Sequence, residues 1–348
     1  MFTRRSIGLD IADHTLEIVE LQQSFFSSTP VVVSRARMSL ERGVVEHGRL
    51  MNKKRLAEAL QKLWQSGSQG PISAHEVVVG IPERQVYTYV VRFEESSAVS
   101  LSDQLHDSAY ETIPIEKEDL VFSSKIISKK NGFADVLLYG TSREVLDEWN
   151  DFFEGSPYRV RAFDHELLAL TRGLFGPLDH EPVCVVDCGA ERTKIIISSS
   201  KSLDYVHSLE YAGDFFTEQL AKSLEVSNEE ADRMKKEEGM EPLSHRALFE
   251  KLLKPIIEEI EIACAFYEKK TDEKITKIIL VGGSARLKGL PEYFQEQTNR
   301  TTQRGDSFLV SRTRTDADDG LHYIEAIGLA LKGVQFAFWE REHPSFHQ

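Results

Sequence analysis

One stretch near the middle of the chain combines residue types that could hold a phosphate and a metal ion. Residues 183–197 read VCVVDCGAERTKIII, in which two apolar runs enclose a short polar segment. This pattern predicts a hairpin of two buried strands joined by a tight turn. Asp187 could orient a metal-bound water, Gly189 would let a ligand approach the backbone, and Thr193 could donate to a phosphate. Taken alone, the same pattern also fits an ordinary hairpin with a polar turn.

Two further stretches carry related patterns. Residues 6–21 read SIGLDIADHTLEIVEL, which predicts a strand that ends at Asp10, a polar turn and a second apolar strand. Residues 277–290 read KIILVGGSARLKGL, in which a predicted strand runs into a Gly-Gly-Ser turn and then into the start of a helix. The chain therefore combines two aspartate-bearing hairpins with one glycine-rich turn, and this combination favours a functional site over an ordinary hairpin.

Length and composition set broad limits on function. The chain has 348 residues, enough for two domains, and 41% of them are hydrophobic, which is enough for a substantial core. Its net charge is −14. This charge argues against a nucleic-acid partner and against electrostatic binding to an anionic membrane surface, because both depend on clustered lysine and arginine.

The cysteines and the apolar runs indicate where the protein works. Cys184, Cys188 and Cys264 lie within or beside apolar runs, and no second cysteine pair or histidine cluster completes a zinc site. We expect them to be reduced core residues. No run reaches the roughly 18 apolar residues that a membrane span needs, and the start of the chain carries no signal-peptide pattern. A soluble, cytoplasmic protein without direct membrane insertion is therefore expected.

The elements that would position these residues form two halves. In the first half, strands are expected over residues 6–46, an amphipathic helix over residues 52–65, and a buried strand in EVVVGIP. Residues 83–160 predict a small inserted α+β unit. Residues 161–175 predict a helix that leads into the second half.

Polar residues also occur near the predicted helices on either side of the central hairpin. Asp164 and His165 could suggest an acid–base pair, but adjacent helical residues point to different faces, so a surface pair or a cap is preferred. After the central hairpin, Gly213 and Asp214 open a predicted helix. The charged segment VSNEEADRMKKEEGM that follows predicts a further helix with a solvated face.

Two more helices complete the second half. The first is predicted over residues 244–270, with a kink or a break at Pro255. The second covers residues 323–338 and includes EAIGLALKGVQF, whose small residues, among them Ala326 and Gly328, would allow close helix packing.

In this order and at these separations, the two hairpins and the glycine-rich turn resemble those of the actin-like ATPase superfamily, which includes actin, Hsp70 and the sugar kinases. The resemblance implies an α/β fold of two duplicated lobes, with ATP bound between them. In the superfamily the hairpins hold phosphates and Mg²⁺, and the Gly-Gly turn holds adenosine. The implied subdomains are IA over residues 1–82, an inserted IC over residues 83–160, IIA over residues 161–210 and 271–348, and a helical IIB over residues 211–270.

Longer phrases resemble one family of this superfamily, the PilM proteins of type IV pilus machines. They include VVVGIPERQVYTYVVRF, AYETIPIEKEDLVF, YAGDFFTEQLAKSLEVSNEEADRMK and IILVGGSARLKGLPEYF, and the resemblance covers residues 6–335. The insertion is similar to the IC subdomain that PilM shares with the division protein FtsA.

This resemblance implies a cytoplasmic, nucleotide-binding scaffold of a type IV pilus or a related secretion machine. In the family, a groove between the first subdomain and the inserted one holds the cytoplasmic N-terminal tail of a single-pass inner-membrane protein, PilN. The scaffold is thereby recruited to the inner face of the inner membrane and links the envelope complex to the motors.

The resemblance also implies which residues would bind ATP and Mg²⁺. Asp10 and Asp187 would be the metal-binding residues, and no catalytic residue is assigned. Glu259 belongs to the set because it lies on the helix from which the family reaches the ribose. The expected nucleotide-binding residues are Asp10, Asp13, Thr15, Asp187, Gly189, Ala190, Thr193, Gly213, Asp214, Glu259, Gly282, Gly283 and Ser284.

The first hairpin departs from the family pattern, which is Asp-x-Gly, three small hydroxyl residues, an apolar residue and lysine. Ala12 replaces the glycine, Asp13 adds a negative charge, and Glu17 replaces the lysine. Like charges that are close together and poorly solvated repel more strongly than in water. This half of the site is therefore expected to disfavour a triphosphate, unless Asp10 and Asp13 hold Mg²⁺.

Several functions stay open. Lys194 or Arg192 could compensate for the lost lysine. Three outcomes are therefore considered: the protein binds ATP with weak or no hydrolysis, it binds another nucleotide, or the site is empty and kept for structure. The first is preferred. A true ATPase or phosphotransferase would need an intact phosphate cradle and a positioned base, against which Ala12 and Glu17 argue. An FtsA-like polymerising protein would need an amphipathic membrane-targeting tail, and VQFAFWEREHPSFHQ is too short and too acidic for one.

Overall fold

The computed structural model describes residues 3–24, 27, 29–94, 100–176, 180–199, 202–307 and 320–342. The chain falls into two compact units. The first comprises Met1–Pro177, Ser307–Thr315 and Tyr323–Gln348, and the second comprises Leu178–Asp306 and Asp316–His322.

The strands, in chain order, are β1 (Thr3–Ile11), β2 (Thr15–Ser24), β3 (Val31–Ser39), β4 (Val45–Glu46), β5 (Arg49–Leu50), β6 (Glu76–Ile81), β7 (Tyr87–Glu94), β8 (Leu120–Lys130), β9 (Phe133–Ser142), β10 (Arg159–His165), β11 (Val183–Cys188), β12 (Thr193–Ser199), β13 (Ser202–Leu209), β14 (Lys277–Val281) and β15 (Thr301–Arg304). The α-helices are α1 (Lys53–Gln65), α2 (Leu101–Thr112), α3 (Arg143–Glu154), α4 (Glu166–Phe175), α5 (Gly213–Leu224), α6 (Asn228–Glu237), α7 (Leu243–Thr271), α8 (Leu290–Thr298) and α9 (Ile324–Glu342). Among the described residues, no helix combines the length and the apolar character that crossing a bilayer requires.

The first unit is built on a five-stranded sheet in the order β10-β6-β1-β2-β3. Side chains alternate between the two faces of each strand. On one face, Ile7 and Leu9 of β1 pack with Leu56 and Leu60 of α1 and with Trp149 of α3. Leu56 and Leu60 are apolar positions of the amphipathic helix that the sequence predicts, and α3 contributes the aromatic side chain of Trp149.

Helices α4 and α9 cover the other face of this sheet, and their close approach requires small residues. A Cβ atom on Gly8 of β1 would lie 1.9 Å from the carbonyl oxygen of Ala326, and a Cβ atom on Gly328 would lie 1.8 Å from the carbonyl oxygen of Ala169. The close packing predicted for the last helix is thus confirmed. The helix packs within the first unit, although the sequence resemblance grouped it with the second actin-like subdomain.

Residues 161–175 form the end of a strand followed by a short helix, whereas the sequence predicted one helix. β10 pairs with β6 up to its last residue, and α4 begins at the next position. His165 is the N-cap of α4, and its Nδ1 accepts a hydrogen bond from the backbone N–H of Leu167 at 3.2 Å. Asp164 and His165 are both buried, so the predicted surface pair is wrong and the predicted cap is confirmed.

Between β6 and β10, the chain forms a separate α+β insertion. Its three antiparallel strands lie in the order β7-β9-β8. α2 packs on one face of this sheet, where Ala109 and Ile113 contact Leu120 and Leu138. α3 then leads back to the main sheet of the first unit.

The second unit repeats the topology of the first. Its sheet has the order β15-β14-β11-β12-β13, which matches β10-β6-β1-β2-β3 strand for strand. α7 extends through Pro255 without a break and packs Ile256 and Ile260 against Val186 and Ile195 of the sheet. The predicted duplication of an α/β lobe is therefore present in the structure.

Candidate nucleotide site and inserted-sheet junction

The first hairpin places two carboxylates side by side. In the register of β1 and β2, Asp10 lies directly opposite Glu17, so both side chains project from the same face of the sheet. The backbone N–H of Ala12 donates to the carbonyl oxygen of Thr15 at 3.0 Å, which closes the turn. The turn therefore forms with alanine in the place where the family pattern has glycine.

Glu17 is a buried acid. It is only 4% exposed, and Arg37 Nε on β3 donates to its Oε1 at 2.6 Å. The other oxygen, Oε2, is buried without a hydrogen-bond partner among the described residues. Burial, and then the nearby charge of Asp10, raise the pKa of Glu17 to about 8, while Arg37 and Thr15 oppose the shift. A carboxyl group that resists ionisation thus stands where the family pattern has lysine.

Asp13, the third residue in which the first hairpin departs from the pattern, is engaged by the backbone. Its Oδ2 accepts a hydrogen bond from the N–H of His47 at 2.9 Å, and its Oδ1 accepts one from the N–H of Gly48 at 3.1 Å. These two bonds hold the turn between β4 and β5. The carboxylate therefore has a structural use within the first unit, and its predicted contact with a nucleotide or Mg²⁺ stays a prediction.

The second hairpin carries the opposite charge at the matching position. Asp187 lies opposite Lys194 in the register of β11 and β12, and Lys194 Nζ is 3.3 Å from Asp187 Oδ2. Lys194 follows Asp187 at the same spacing at which Glu17 follows Asp10. Since the two sheets have the same strand order, the hairpins are equivalent, and they differ by a charge reversal opposite the aspartate.

Backbone hydrogen bonds join the second hairpin to the start of α5. The N–H of Gly189 donates to the carbonyl oxygen of Arg192 at 3.0 Å and closes the hairpin turn. The N–H of Gly213 donates to the carbonyl oxygen of Gly189 at 3.1 Å, and the N–H of Asp214 donates to that of Ala190 at 2.8 Å. Four of the predicted nucleotide-binding residues are therefore neighbours.

The glycine-rich turn after β14 lies against the same hairpin. Gly282 has a φ of +81°, and a Cβ atom there would lie 2.5 Å from Asp187 Oδ1. Ser284 Oγ donates to the carbonyl oxygen of Gly189 at 3.4 Å. A Cβ atom on Gly283, by contrast, would meet nothing within 4 Å. The residues that the second unit brings together, the turn set from here on, are Asp187, Gly189, Ala190, Gly213, Asp214, Gly282, Gly283 and Ser284.

Two predicted residues of the second unit have other contacts. Thr193 is fully buried, and its hydroxyl donates to the carbonyl oxygen of Tyr211 at 2.7 Å. Glu259 of α7 accepts a hydrogen bond from the Tyr205 hydroxyl at 2.5 Å and lies 4.0 Å from His207 Nδ1. These contacts place Glu259 beside β13, and the structure does not show it joining the turn set. The nucleotide roles of Thr193 and Glu259 stay predictions.

The sequence analysis missed Lys235 as a neighbour of the turn set. Lys235 lies in the charged segment predicted to be solvated, yet it is only 8% exposed. Its Nζ donates to the carbonyl oxygen of Gly213 at 2.9 Å and to Thr217 Oγ1 at 2.6 Å. The available signal was spacing, since Lys235 follows the buried Ala231 by one helical turn. Lys235 ties α6 to the first turn of α5.

In the first unit, the inserted sheet contacts the end of β10. Thr88 of β7 and His165 of β10 are joined by a hydrogen bond of 2.8 Å. Because His165 Nδ1 accepts from Leu167, its Nε2 carries the proton and donates to Thr88 Oγ1. The ring of Tyr139 on β9 is 6.0 Å from the ring of His165. These contacts fix one end of the inserted sheet against the main sheet, and we call this region the junction.

A buried ion-pair cluster lies beside the junction. Asp164 Oδ2 accepts from Arg172 Nη1 at 2.8 Å, and Asp164 Oδ1 accepts from Lys332 Nζ at 2.5 Å. Arg172 also donates to the carbonyl oxygen of Gly328 at 2.9 Å. The pKa of Lys125 on β8 is lowered by burial and then by the charge of Arg172, while Asp164 opposes the shift. The cluster therefore joins β10, α4 and α9 close to the inserted sheet.

Comparison with known proteins assigns the fold and the family. A family model described as type IV pilus assembly protein PilM matches residues 8–334. Among solved structures, the PilM–PilN type IV pilus biogenesis complex matches with a TM-score of 0.80 and 19% identity, over 94% of this chain and 98% of that chain. MreB5 of Spiroplasma citri bound to AMPPNP matches with a TM-score of 0.57 and 13% identity, over 98% of this chain and 100% of that chain. These structures show that the fold is actin-like.

A curated relative shares part of the chain. The cell division protein FtsA of Streptococcus pneumoniae serotype 2 is 24% identical over 183 residues, which are 46% of this chain and 40% of FtsA. The chain thus spans less than half the length of this curated relative, whereas the PilM model extends over nearly all of the described chain. The chain belongs to the PilM family of type IV pilus assembly proteins.

Proposed function

We propose that this protein is a cytoplasmic scaffold of a type IV pilus or a related secretion machine, and that it holds the cytoplasmic N-terminal tail of a PilN-like inner-membrane protein. The observation that carries the proposal is the family match over residues 8–334. The partner would recruit the scaffold to the inner face of the inner membrane.

The inserted sheet offers a surface suited to an extended peptide. In the order β7-β9-β8, β7 has one neighbour among the described strands, so one of its edges is open to pairing. Val90 of β7 is 39% exposed and Tyr87 is 43% exposed. A tail that adds to an open edge gains main-chain hydrogen bonds and can fill pockets with its apolar side chains. This combination supports tail binding beside the junction.

We also propose that the protein binds ATP with weak or no hydrolysis. The turn set fits a nucleotide, because its backbone is glycine-rich and open at Gly283, and because Lys194 balances the charge of Asp187. Mg²⁺, when bound, would supply positive charge to the phosphates and would be held through Asp187. The first hairpin fits less well, since Glu17 places a buried carboxyl group beside Asp10.

The tail proposal is tested by affinity capture from native membranes, followed by calorimetry. The tagged protein should recover a small single-pass protein with a short cytoplasmic N-terminal tail. A synthetic peptide of that tail should then bind the purified protein with a stoichiometry of one, and a scrambled peptide of the same composition should not. A membrane partner that is recovered but whose tail peptide does not bind would contradict the proposal. Recovery of division proteins would instead support an FtsA-like role.

A further inference from the structure

Helix α7 directs one face into the core of the second unit and the opposite face to solvent. Ile260, Ala263 and Tyr267 lie in the core. On the solvent side, Ile262 is 57% exposed and Phe266 is 52% exposed. These two residues are four positions apart, so their side chains are neighbours on the helix surface. Exposed apolar residues are ordinary on a protein surface, so the function of this pair has to be argued from its surroundings.

A residue of the sheet holds the ring of Phe266 in position. The ring centroid of Phe266 lies 5.8 Å from that of Tyr205 on β13. Tyr205 also packs against the core of the second unit, and its hydroxyl donates to Glu259 of α7 at 2.5 Å. The exposed ring is therefore supported by a side chain that is tied to both elements. A surface that is ordered in advance loses less conformational freedom when a partner binds.

Opposite charges flank the apolar pair at similar distances. Glu258 precedes Ile262 by four positions, and Lys269 follows Phe266 by three, so both charged residues lie on the same face as the pair. The Glu258 side chain is 62% exposed and lies 3.7 Å from Lys254, an exposed contact of the kind that contributes little. Lys269 is exposed as well. We call this face the α7 stripe, and its residues are Glu258, Ile262, Ala265, Phe266 and Lys269.

The α7 stripe is complementary to a second copy of itself. It is acidic at one end, apolar in the middle and basic at the other end. A two-fold axis that crosses α7 makes the two copies of the helix antiparallel, and each contact then occurs twice. With the axis near Cys264, Ile262 faces Phe266 of the second copy, and Glu258 faces Lys269 of the second copy. The apolar residues would thus be covered while opposite charges meet at both ends.

The signs of the charges select the antiparallel arrangement. In a parallel pair, Glu258 would face its own copy and Lys269 would do the same, so like charges would meet at both ends. The helix ends at Thr271, seven positions after Cys264, so an overlap centred there begins near position 257. The exposed lysines earlier in the helix fall outside this overlap and do not disturb the match.

We propose that the α7 stripe joins two copies of this chain in an antiparallel contact with two-fold symmetry. The contact lies in the second unit. It goes beyond the tail binding proposed for the first unit and does not depend on it. Two such stripes form an interface at the small end of specific contacts, so the dimer is weak and forms as the protein concentration rises.

The experiment measures the dissociation constant of the dimer by sedimentation velocity of the full chain at increasing concentrations. Ile262→Glu places a charge in the apolar middle of the stripe. Glu258→Lys and Lys269→Glu each reverse the charge of one end, and the double variant exchanges the two ends. Leu243→Glu is the matched control, because Leu243 is an 85% exposed residue of the same helix outside the overlap. Circular dichroism checks that each variant is folded.

We expect the wild type and Leu243→Glu to dimerise equally and Ile262→Glu to weaken the dimer about tenfold or more. Each single charge reversal should weaken it about tenfold, because two pairs change at once in a two-fold contact. The double variant should return to within about twofold of wild type. A wild type that stays monomeric from about 1 to about 100 µM would overturn the inference, as would a dimer that Ile262→Glu leaves intact. A double variant no stronger than the single ones would overturn the antiparallel arrangement.

Discussion

Glu17 and Lys194 occupy matching positions in two duplicated hairpins, each opposite an aspartate. Lys194 forms an ion pair with its aspartate, whereas Glu17 turns to Arg37 on the neighbouring strand and buries its second oxygen. The first hairpin thus satisfies much of its charge within the protein, while the second keeps a cation beside the glycine-rich turn. The two hairpins therefore differ in the charge that each presents opposite its aspartate.

The double substitution Ala12→Gly with Glu17→Lys should raise the affinity for ATP. Glycine would let the backbone approach a phosphate, and lysine would restore opposite Asp10 the cation that Lys194 provides opposite Asp187. Calorimetry with ATP and Mg²⁺ would show a gain of about tenfold or more, in line with one added charge-assisted hydrogen bond. Unchanged affinity in a folded double variant would contradict this account of the hairpin.

The reverse substitution in the second hairpin, Lys194→Glu, should lower the affinity for ATP. It would place a carboxylate against Asp187 and recreate there the arrangement of Asp10 and Glu17. A loss of about tenfold or more is expected in the same calorimetric assay, with circular dichroism as a check that the sheet is retained. If the variant binds ATP as wild type does, the turn set is not the anion-binding half.

Glu17 should make the protein less stable as the pH rises. Its pKa is raised from 4.5 to about 8 in the folded state, so between these values the folded state keeps a proton that the unfolded chain releases. Its stabilising contribution is complete below about pH 4.5, is lost as the pH approaches 8, and changes no further above that value. The slope is at most about 1.4 kcal/mol per pH unit.

Urea denaturation across this pH range measures the slope directly. Glu17→Gln cannot ionise, so its free energy of unfolding should vary less with pH than that of wild type. Glu58→Gln, on the exposed side of α1, is the control and should keep the wild-type profile. A Glu17→Gln profile that parallels wild type would show that Glu17 is not the source of the pH dependence.

At the level of elements, periodicity predicted the helices that pack one apolar face on a sheet. α1 and the helix that opens at Gly213 lie where the sequence predicted them. The sequence predicts one helix over residues 161–175, yet the first part of this segment pairs with β6. Pairing with β6, which is distant in the sequence, decides that this part is a strand. A local apolar pattern carries no information on such a pairing.

The same distinction explains which site residues the sequence could predict. The hairpin and the glycine-rich turn were predictable because short glycine-bearing motifs indicate their own local conformation, while the nucleotide role of the turn set stays a prediction. The engagement of Asp13 by the β4–β5 turn, the burial of Lys235 and the cluster around Asp164 depend on contacts between distant segments. Residue type and spacing carry little information on such contacts.

Close packing of α9 makes Gly328 a position where a methyl group should be costly. A Cβ atom there would lie 1.8 Å from the Ala169 carbonyl oxygen, so α9 or α4 would have to move. Gly328→Ala should lower the stability of the first unit by about 1–3 kcal/mol, as for overpacked cores, although alanine favours a helix by up to about 1 kcal/mol. Thermal denaturation provides the measurement.

Gly155, also in the first unit, is the matched control for that substitution. A Cβ atom on Gly155 would meet nothing within 4 Å, and its φ of −84° suits any residue. Gly155→Ala should therefore leave the midpoint unchanged or raise it slightly. Equal midpoints for Gly328→Ala and wild type would mean that α9 does not pack as closely as the structure shows.

At the scale of the whole molecule, the two proposed binding activities depend on different units. The turn set belongs to the second unit, while the inserted sheet and the junction belong to the first. The duplicated sheet gives each unit its own core, one around α7 and one around α1 and α3. On the proposed function, tail binding would rest on the first unit, and the turn set's share of ATP binding would rest on the second.

We therefore expect tail binding to tolerate loss of the nucleotide site. Asp187→Asn should weaken binding of ATP with Mg²⁺ by about tenfold or more, because it removes the carboxylate through which Mg²⁺ would be held. It should change the affinity for the tail peptide less than about twofold in the absence of nucleotide. Calorimetry with both ligands on wild type and on the Asp187→Asn variant provides the comparison. A tenfold loss of tail affinity in a folded Asp187→Asn variant would contradict this independence, and would mean that the state of the second unit controls the junction in the first.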